Sequence, residues 1–281
     1  MARIFNGDYS TGDFRQWHRM MNAHVPRAVP AHPFSYGANF PPRRFYSAQV
    51  ISEDKDAGYI ARYELRENDT PWWGGQARSE VSGVDDTFAP VDSTRWYAWS
   101  MKFDTTFPTN HYDLGFGIFG QFHDTSNGGY SPPVAFGYPT QLSVSLTQPG
   151  TGFRSPGYWY LFHIQWPPPT SAGVVPMATH IFPVCELPFN LGQWHDIKLQ
   201  IKWKQDQTGF IRMWWNGQRQ TLWGGVDTHY GATLPPNIGT DPHQIVTGQA
   251  VQMGYYRDKS IVEPGIIYNA GFRMADGESD L

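Results

Sequence analysis

Trp194-His-Asp-Ile-Lys-Leu-Gln-Ile-Lys-Trp-Lys204 alternates without a break. Ile197, Leu199, Ile201 and Trp203 fall on one side, and Asp196, Lys198, Gln200, Lys202 and Lys204 on the other. Successive side chains of a strand point to opposite faces, so this run is a strand with one face in a core and one in water. It leads into Phe210-Ile-Arg-Met-Trp-Trp215, then Asn216-Gly217, then Gln218 to Trp223. Asn-Gly between two such runs is the strongest short-range signal of a hairpin.

Working outward, Tyr59, Ala61, Tyr63 and Leu65 alternate with Arg62, Glu64 and Arg66 as another half-buried strand. Further strands are expected over 76–83, 95–103, 114–123, 141–147, 157–166, 249–256 and 265–274. Residues 167–192, with Pro-Pro-Pro and repeated Pro and Gly, read as a long loop, as does 224–243. Residues 1–43 read as an irregular arm draped over the rest, and no linker separates a second domain. The composition agrees: 16% aromatic residues, 12 Trp, 29 Gly and 23 Pro, with no long helix-forming periodic segment. The expectation is one all-β domain over 1–281, a β-sandwich or jelly roll of two packed antiparallel sheets.

The formal net charge of -4 and a pI near 6.2 lack the basic footprint of a nucleic-acid binder. No apolar run reaches the ~18 residues of a membrane span. Cys185 is the single cysteine, which excludes an internal disulfide and suits a small buried residue. The opening MARIFNGDYSTGDF has no basic segment followed by an apolar one, so no secretory signal is expected.

Three strands carry chemically capable groups on one face. In Leu114-Gly-Phe-Gly-Ile-Phe-Gly-Gln-Phe-His-Asp124, Gln121 and His123 share a face, with Ile118 and Phe122 expected on the other. In Gln76-Ala-Arg-Ser-Glu-Val81, Gln76, Arg78 and Glu80 lie together, opposite Ala77, Ser79 and Val81. In Val251-Gln-Met-Gly-Tyr-Tyr-Arg257, Gln252, Gly254 and Tyr256 lie opposite Val251, Met253 and Tyr255. Alone, the second reads more readily as a solvated ion-paired face and the third as an ordinary strand. Gly115-x-Gly117-x-x-Gly120 has the spacing of a dinucleotide loop, but it sits inside an apolar strand with no helix after it, so that reading is rejected.

Other features have plainer readings. Asp124 to Asn127 is a surface turn rather than a cation site, and no metal-ligand spacing stands out. His195 and Asp196 point to opposite faces, and His195 reads as structural. Arg43, Arg44, Arg62 and Arg66 read as a scattered solvated face. Trp72, Trp73, Tyr130 and Trp159 suit either core packing or contact with sugar rings.

Taken together, Arg-Ser-Glu-Val, Gln-Phe-His and Gln-Met-Gly-Tyr-Tyr-Arg resemble the three signature strands of jelly-roll polysaccharide lyases, such as the alginate, glucuronan and heparin I-type enzymes. Those families carry Arg-x-Glu, Gln-x-His and Lys-x-Gly-x-Tyr strands, in that order, facing one concave cleft. Phe5–Trp17, Trp96–Phe103, Gly192–Asp196 and the Asn216-Gly217 hairpin extend the resemblance over most of the chain. Gln252 stands where these families often have Lys, a departure that bears on neutralisation of the substrate's charge. The resemblance implies a concanavalin-like jelly roll and β-elimination at a uronic acid residue, with no cofactor and no metal. It implies that Arg78 and Gln121 bind the uronate carboxylate, that His123 or Tyr256 removes the C5 proton, and that Tyr256 protonates the departing O4. Glu80 would orient Arg78. Gln76, Gln252, Arg257, Trp72 and Trp73 would complete the substrate contacts.

The implied partner is an acidic polysaccharide. Extracellular action without a visible signal is reconciled if the chain is a bacteriophage tail component, in contact with other virion tail proteins and homo-oligomeric. The alternative is a non-catalytic glycan-binding or structural module of such a tail. A jelly-roll glycoside hydrolase ranks last, because no strand carries the paired carboxylates of the glucanases.

Overall fold

The structure is a computed structural model, and it describes residues 3–22, 46–52, 55, 58–71, 74–83, 86–109, 115–124, 133–138, 157–165, 180–235 and 246–281. In chain order the strands are β1 (Arg3–Gly7), β2 (Arg19–Asn22), β3 (Ala48–Ile51), β4 (Ile60–Leu65), β5 (Ala77–Ser82), β6 (Ala89–Pro90), β7 (Thr94–Phe103) and β8 (Gly117–Asp124). There follow β9 (Val134–Tyr138), β10 (Tyr158–Gln165), β11 (His180–Pro188), β12 (Trp194–Lys202) and β13 (Phe210–Trp215). The last are β14 (Gln218–Arg219), β15 (His229–Tyr230), β16 (Gly248–Arg257) and β17 (Gly265–Ala275).

Two antiparallel sheets pack face to face as the expected jelly roll. One, of nine strands, runs β14-β13-β12-β7-β17-β4-β3, with β1 on β17 and β15 on β13. The other, of eight, runs β11-β10-β9-β8-β16-β5-β2, with β6 on β16. The alternating run at 194–204 decides its own placement: Ile197, Leu199, Ile201 and Trp203 are buried in the core, while Asp196 is exposed and Lys198, Gln200 and Lys202 are half-buried on the outer face. Asn216 (φ 49°) and Gly217 (φ 77°) supply the two left-handed residues of the β13–β14 turn.

Aromatic rings fill the space between the sheets. Tyr97 on β7 meets Phe122 on β8 at 4.8 Å, Phe103 meets Phe119 at 4.8 Å, and Trp99 meets Phe136 at 5.1 Å. The buried Tyr97 hydroxyl accepts from Trp203 Nε1 (2.9 Å) and Gln249 Nε2 (2.8 Å), so its polar end is satisfied inside the core. His195 is likewise structural: Trp215 Nε1 donates to its Nδ1 (3.0 Å), which leaves Nε2 to donate to the Phe189 carbonyl (3.1 Å).

Several expectations are corrected. The described part of the N-terminal arm is not irregular, because β1 joins the nine-stranded sheet and β2 the eight-stranded one. Between them Tyr9, Phe14 and Trp17 enter the core, with Trp17 stacked 6.2 Å from Tyr9 and 5.2 Å from Phe272. The stretch 167–192 is not all loop, since its second half contains β11. Pro183 and Pro188 conceal that strand in the sequence, yet β11 is the edge of its sheet, where proline removes no ladder partner. Ile118 lies on the same outer face as Gln121, in a cluster with Ala135, Tyr160 and Phe162, because the β8–β9 register slips between Ile118 and Gly120. Phe119 takes the core place instead. The strand expected over 141–147 lies outside the described residues.

Candidate active site

β16 lies between β8 and β5, and this adjacency assembles the site. Gln252 faces Gln121 across one ladder, and Tyr256 faces Arg78 across the other. His123 sits opposite Ala250, and Glu80 opposite Gly254. All these functional side chains leave the sheet on the face turned away from the core, because their neighbours Ala77, Val81, Phe122, Val251, Met253 and Tyr255 are buried in the core.

Glu80 is the hub. It is fully buried, and it reaches past Gly254 to accept a hydrogen bond from Gln121 Nε2 at 2.7 Å, two strands away. Gly254 has φ 140°, and a Cβ there would stand 2.3 Å from the Ser79 carbonyl oxygen and 2.6 Å from Glu80 Cα. The strand therefore needs glycine at this point. The second hydrogen of the Gln121 amide goes to Gln252 Oε1 at 3.0 Å. A carboxylate can only accept, so Glu80 fixes the orientation of the Gln121 amide, and that amide fixes Gln252. Both hydrogens of Gln121 are thus committed within the protein, while among the described residues the amide nitrogen of Gln252 meets no acceptor.

Arg78 Nε lies 3.3 Å from Glu80 Oε2, and Arg78 Nη1 lies 3.8 Å from Met21 Sδ. The guanidinium carbon stands 4.1 Å from the ring centroid of Tyr256, whose other neighbour is Phe116 at 5.0 Å, edge to face. The plane of Arg78 is therefore held between an ion pair and an aromatic face. Burial pushes the Glu80 carboxyl above the ordinary carboxylate range, and Arg78, the Gln121 hydrogen bond and nearby His123 pull it partly back. His123 and Tyr256 are half-buried at the same face.

The structure does not bring every expected residue here. Arg257 is fully buried on the core side, with Nη1 donating to the Glu263 carbonyl at 2.5 Å and its guanidinium 5.5 Å from the Tyr255 ring. It shares the parity of Tyr255, one residue out of phase with Tyr256, and so it cannot reach a ligand beside Arg78. Gln76 precedes β5, and its Oε1 accepts the Lys259 backbone N–H at 2.9 Å, tying down the β16–β17 connection. Trp159 is completely buried against Phe103 and Phe136, which makes it a core residue. Trp72, Trp73, Tyr130, Asn127, Arg43, Arg44 and the side chain of Asp124 lie outside the described residues. Arg62 and Arg66 are no loose basic face, since both pair with the buried Glu64. Gly117 has its own structural reason, because a Cβ would stand 2.4 Å from the Tyr138 ring. Met21 and Phe116 were missed, and nothing in Arg19-Met-Met-Asn22 distinguishes the core methionine from the one beside Arg78. Among the described residues no three His, Cys, Asp or Glu side chains gather to hold a metal ion, and no helix is long and apolar enough to cross a membrane.

Comparison with known proteins adds the family. Residues 9–273 match the family model for polysaccharide lyase. Among solved structures, the endo-β-1,4-glucuronan lyase of the fungus Trichoderma reesei superposes with a TM-score of 0.59 at 14% identity, covering 99% of this chain and 98% of that one. A family 7 alginate lyase in complex with substrate gives 0.56 at 12% identity, covering 96% of each chain. The catalytic domain of a glycoside hydrolase family 131 protein from Coprinopsis cinerea gives 0.54 at 12%, over 99% of this chain and 96% of that one. No curated protein matches by sequence. At such identities the superpositions establish the fold, which lyases and a hydrolase share, whereas the family match covers nearly the whole sequence. The chain belongs to the polysaccharide lyase family.

Proposed function

We propose that this chain cleaves a uronic-acid-containing polysaccharide by β-elimination at the face formed by β5, β8 and β16. The observation that carries this reading is the convergence of Arg78, His123, Gln252 and Tyr256 around the buried Glu80–Gln121 pair. Loss of the C5 proton of a uronate is opposed by the adjacent carboxylate, because the developing enolate adds a second negative charge. Arg78 supplies a fixed cation and Gln252 Nε2 a neutral donor for that carboxylate. Gln121, with both hydrogens committed, serves as the strut that sets Gln252. His123 removes the C5 proton, and the electron pair forms the C4–C5 double bond as the C4–O4 bond breaks. O4 leaves with the Tyr256 hydroxyl proton. No water is consumed in the cleavage.

A hydrolase would need two carboxylates flanking the bond, roughly 5–10 Å apart. Among the described residues Glu80 is the one carboxylate of this constellation, and it is buried and engaged by Arg78 and Gln121, unsuited to act as free acid or nucleophile. Elimination leaves a conjugated chromophore on the new non-reducing end, so ultraviolet absorbance against glucuronan, alginate, heparin and hyaluronan tests the reading. One of these should give the signal, and His123→Ala and Tyr256→Phe should each lower the rate by about 100-fold or more. New reducing ends without a chromophore would replace this reading with hydrolysis, and glycan binding without cleavage would make the chain a recognition module.

A further inference from the structure

The nine-stranded sheet carries a second feature, on its outer face and away from the site above. A cavity of about 380 Å³ is floored by Ala98 and Ser100 of β7 and walled by Trp214, Lys198, Lys55 and Arg273. A second, of about 310 Å³, shares Lys55, Ser100 and Arg273 and continues over Ala270 and Gly271 to Tyr59 and Asp8. The shared residues make the two cavities one trough crossing β13, β12, β7 and β17.

The cross-strand registers explain its shape. Lys198 faces Trp214 on one side and Ala98 on the other, and Ala98 faces Arg273. Two bulky side chains thus flank an alanine, and Ser100 and Ala270 pair next to it, which leaves the middle of the sheet low. The β7–β17 register slips between Ala270 and Arg273, with Gly271 at φ 62°, and this bulge turns Arg273 to the trough. Trp214 is half-buried beside Trp96, ring centroids 5.3 Å apart, with the Lys198 ammonium 4.6 Å from the Trp214 ring. Tyr59, at the far end, is 44% exposed.

We infer that this trough is a second binding site for an acidic glycan chain, separate from the cleaving face. Aromatic rings at its two ends offer flat apolar faces for sugar rings, and cations lie between them. The larger cavity is lined by three cations and one acid, Asp196, in a chain whose net charge is -4. Asp196 is already engaged by Lys55 (3.3 Å) and by the Ser100 hydroxyl (2.5 Å), and Lys198 is held in place by Glu278. Among the described residues Arg273 makes no ion pair, its one hydrogen bond going to the Gly271 carbonyl at 3.3 Å. It is the natural partner for a uronate carboxylate. The acidic class of ligand rests on the proposed function, while the existence of a sugar-binding trough rests on the geometry.

Affinity electrophoresis of the full chain through gels containing glucuronan, alginate or neutral hydroxyethylcellulose tests this. Tyr256→Phe protein keeps the polymer intact, and Trp214→Ala and Arg273→Ala are added singly and together, with thermal unfolding to confirm that each folds. The polyuronate should retard the parent, and the double substitution should weaken association by about tenfold. In the Tyr256 background, release of chromophore from short oligouronates should be the same with and without the two substitutions. Equal retardation of parent and double variant overturns the site, as does absence of retardation in a polyuronate gel. Equally strong retardation by the neutral glucan overturns the acidic class. Retardation lost in the double variant with no chromophore from any substrate leaves the trough standing and removes the lyase reading.

Discussion

At the scale of the residue, Glu80 holds the site together at a cost to the fold. A carboxyl whose folded value is raised binds its proton more tightly in the folded than in the unfolded chain, so stability falls as pH rises through that raised value. The buried charge is retained against that cost because it orients Arg78 and the Gln121 amide. Glu80→Gln removes the charge without stranding another, since the Arg78 side chain is 22% exposed and can be hydrated. Expected at pH 7 is a melting temperature no lower than the parent's, with kcat/KM down by about tenfold or more. A lower melting temperature would show the pair to be net stabilising. Gln252→Ala is expected to raise KM for the acidic polymer by about tenfold, through loss of one hydrogen bond to a charged group. The proposed difference between Gln121 as strut and Gln252 as donor was not legible in the sequence, because it depends on which partner the Gln121 amide hydrogens meet on neighbouring strands.

At the scale of the element, β16 and the first 22 residues matter most. β16 places Tyr256 and Gln252 and lets Glu80 pass over it at Gly254. Gly254→Ala forces a Cβ against the β5 backbone at 2.3 Å and into φ 140°. Thermal unfolding should show a loss of about 3 kcal/mol or more, or failure to fold. An unchanged melting temperature would mean that the strand rearranges freely. β1 and β2 belong to different sheets, with Trp17 between them in the core, so the segment fastens the sandwich across its two layers. Trp17→Ala is expected to cost about 3–5 kcal/mol, read as a lower urea midpoint. Little in the residues signals this role, since short strands separated by Asp, Ser, Thr and Gly turns have no long alternating run. β11 was hidden for a related reason: prolines that forbid a central strand are harmless at an edge.

At the scale of the whole molecule, three histidines are kept neutral by their surroundings, His163 and His195 buried and His229 half-buried. His163 on β10 is held by burial near 3 and His229 on β15 near 4, against an ordinary value near 6.5, and burial also lowers His195. His229 Nε2 donates to His163 Nδ1 at 2.9 Å, and His163 Nε2 donates to the Ala232 carbonyl at 2.8 Å, so the pair joins strands of the two sheets. Between about pH 4 and 6.5 the unfolded chain binds protons that the folded one refuses, so stability falls as pH falls through that window. Glu80 acts in the opposite sense but is one group against three. The urea midpoint should therefore be lower at pH 5 than at pH 7, and the slope should flatten in His229→Gln. A midpoint independent of pH would show that these rings take up protons while folded.

What the sequence determined by itself was whatever repeats with period two: the alternation at 194–204, the Asn216-Gly217 turn, and the faces bearing Arg78 with Glu80, Gln121 with His123, and Gln252 with Tyr256. Period and turn chemistry are local, so they survive in one dimension. Long-range packing settles which strands are neighbours, where the registers slip at Ile118 and Gly271, which of Met20 and Met21 meets Arg78, and that Arg257 turns inward. Those outcomes are fixed by hydrogen bonds and packing between residues far apart in the chain, whose free energy no short window of sequence contains.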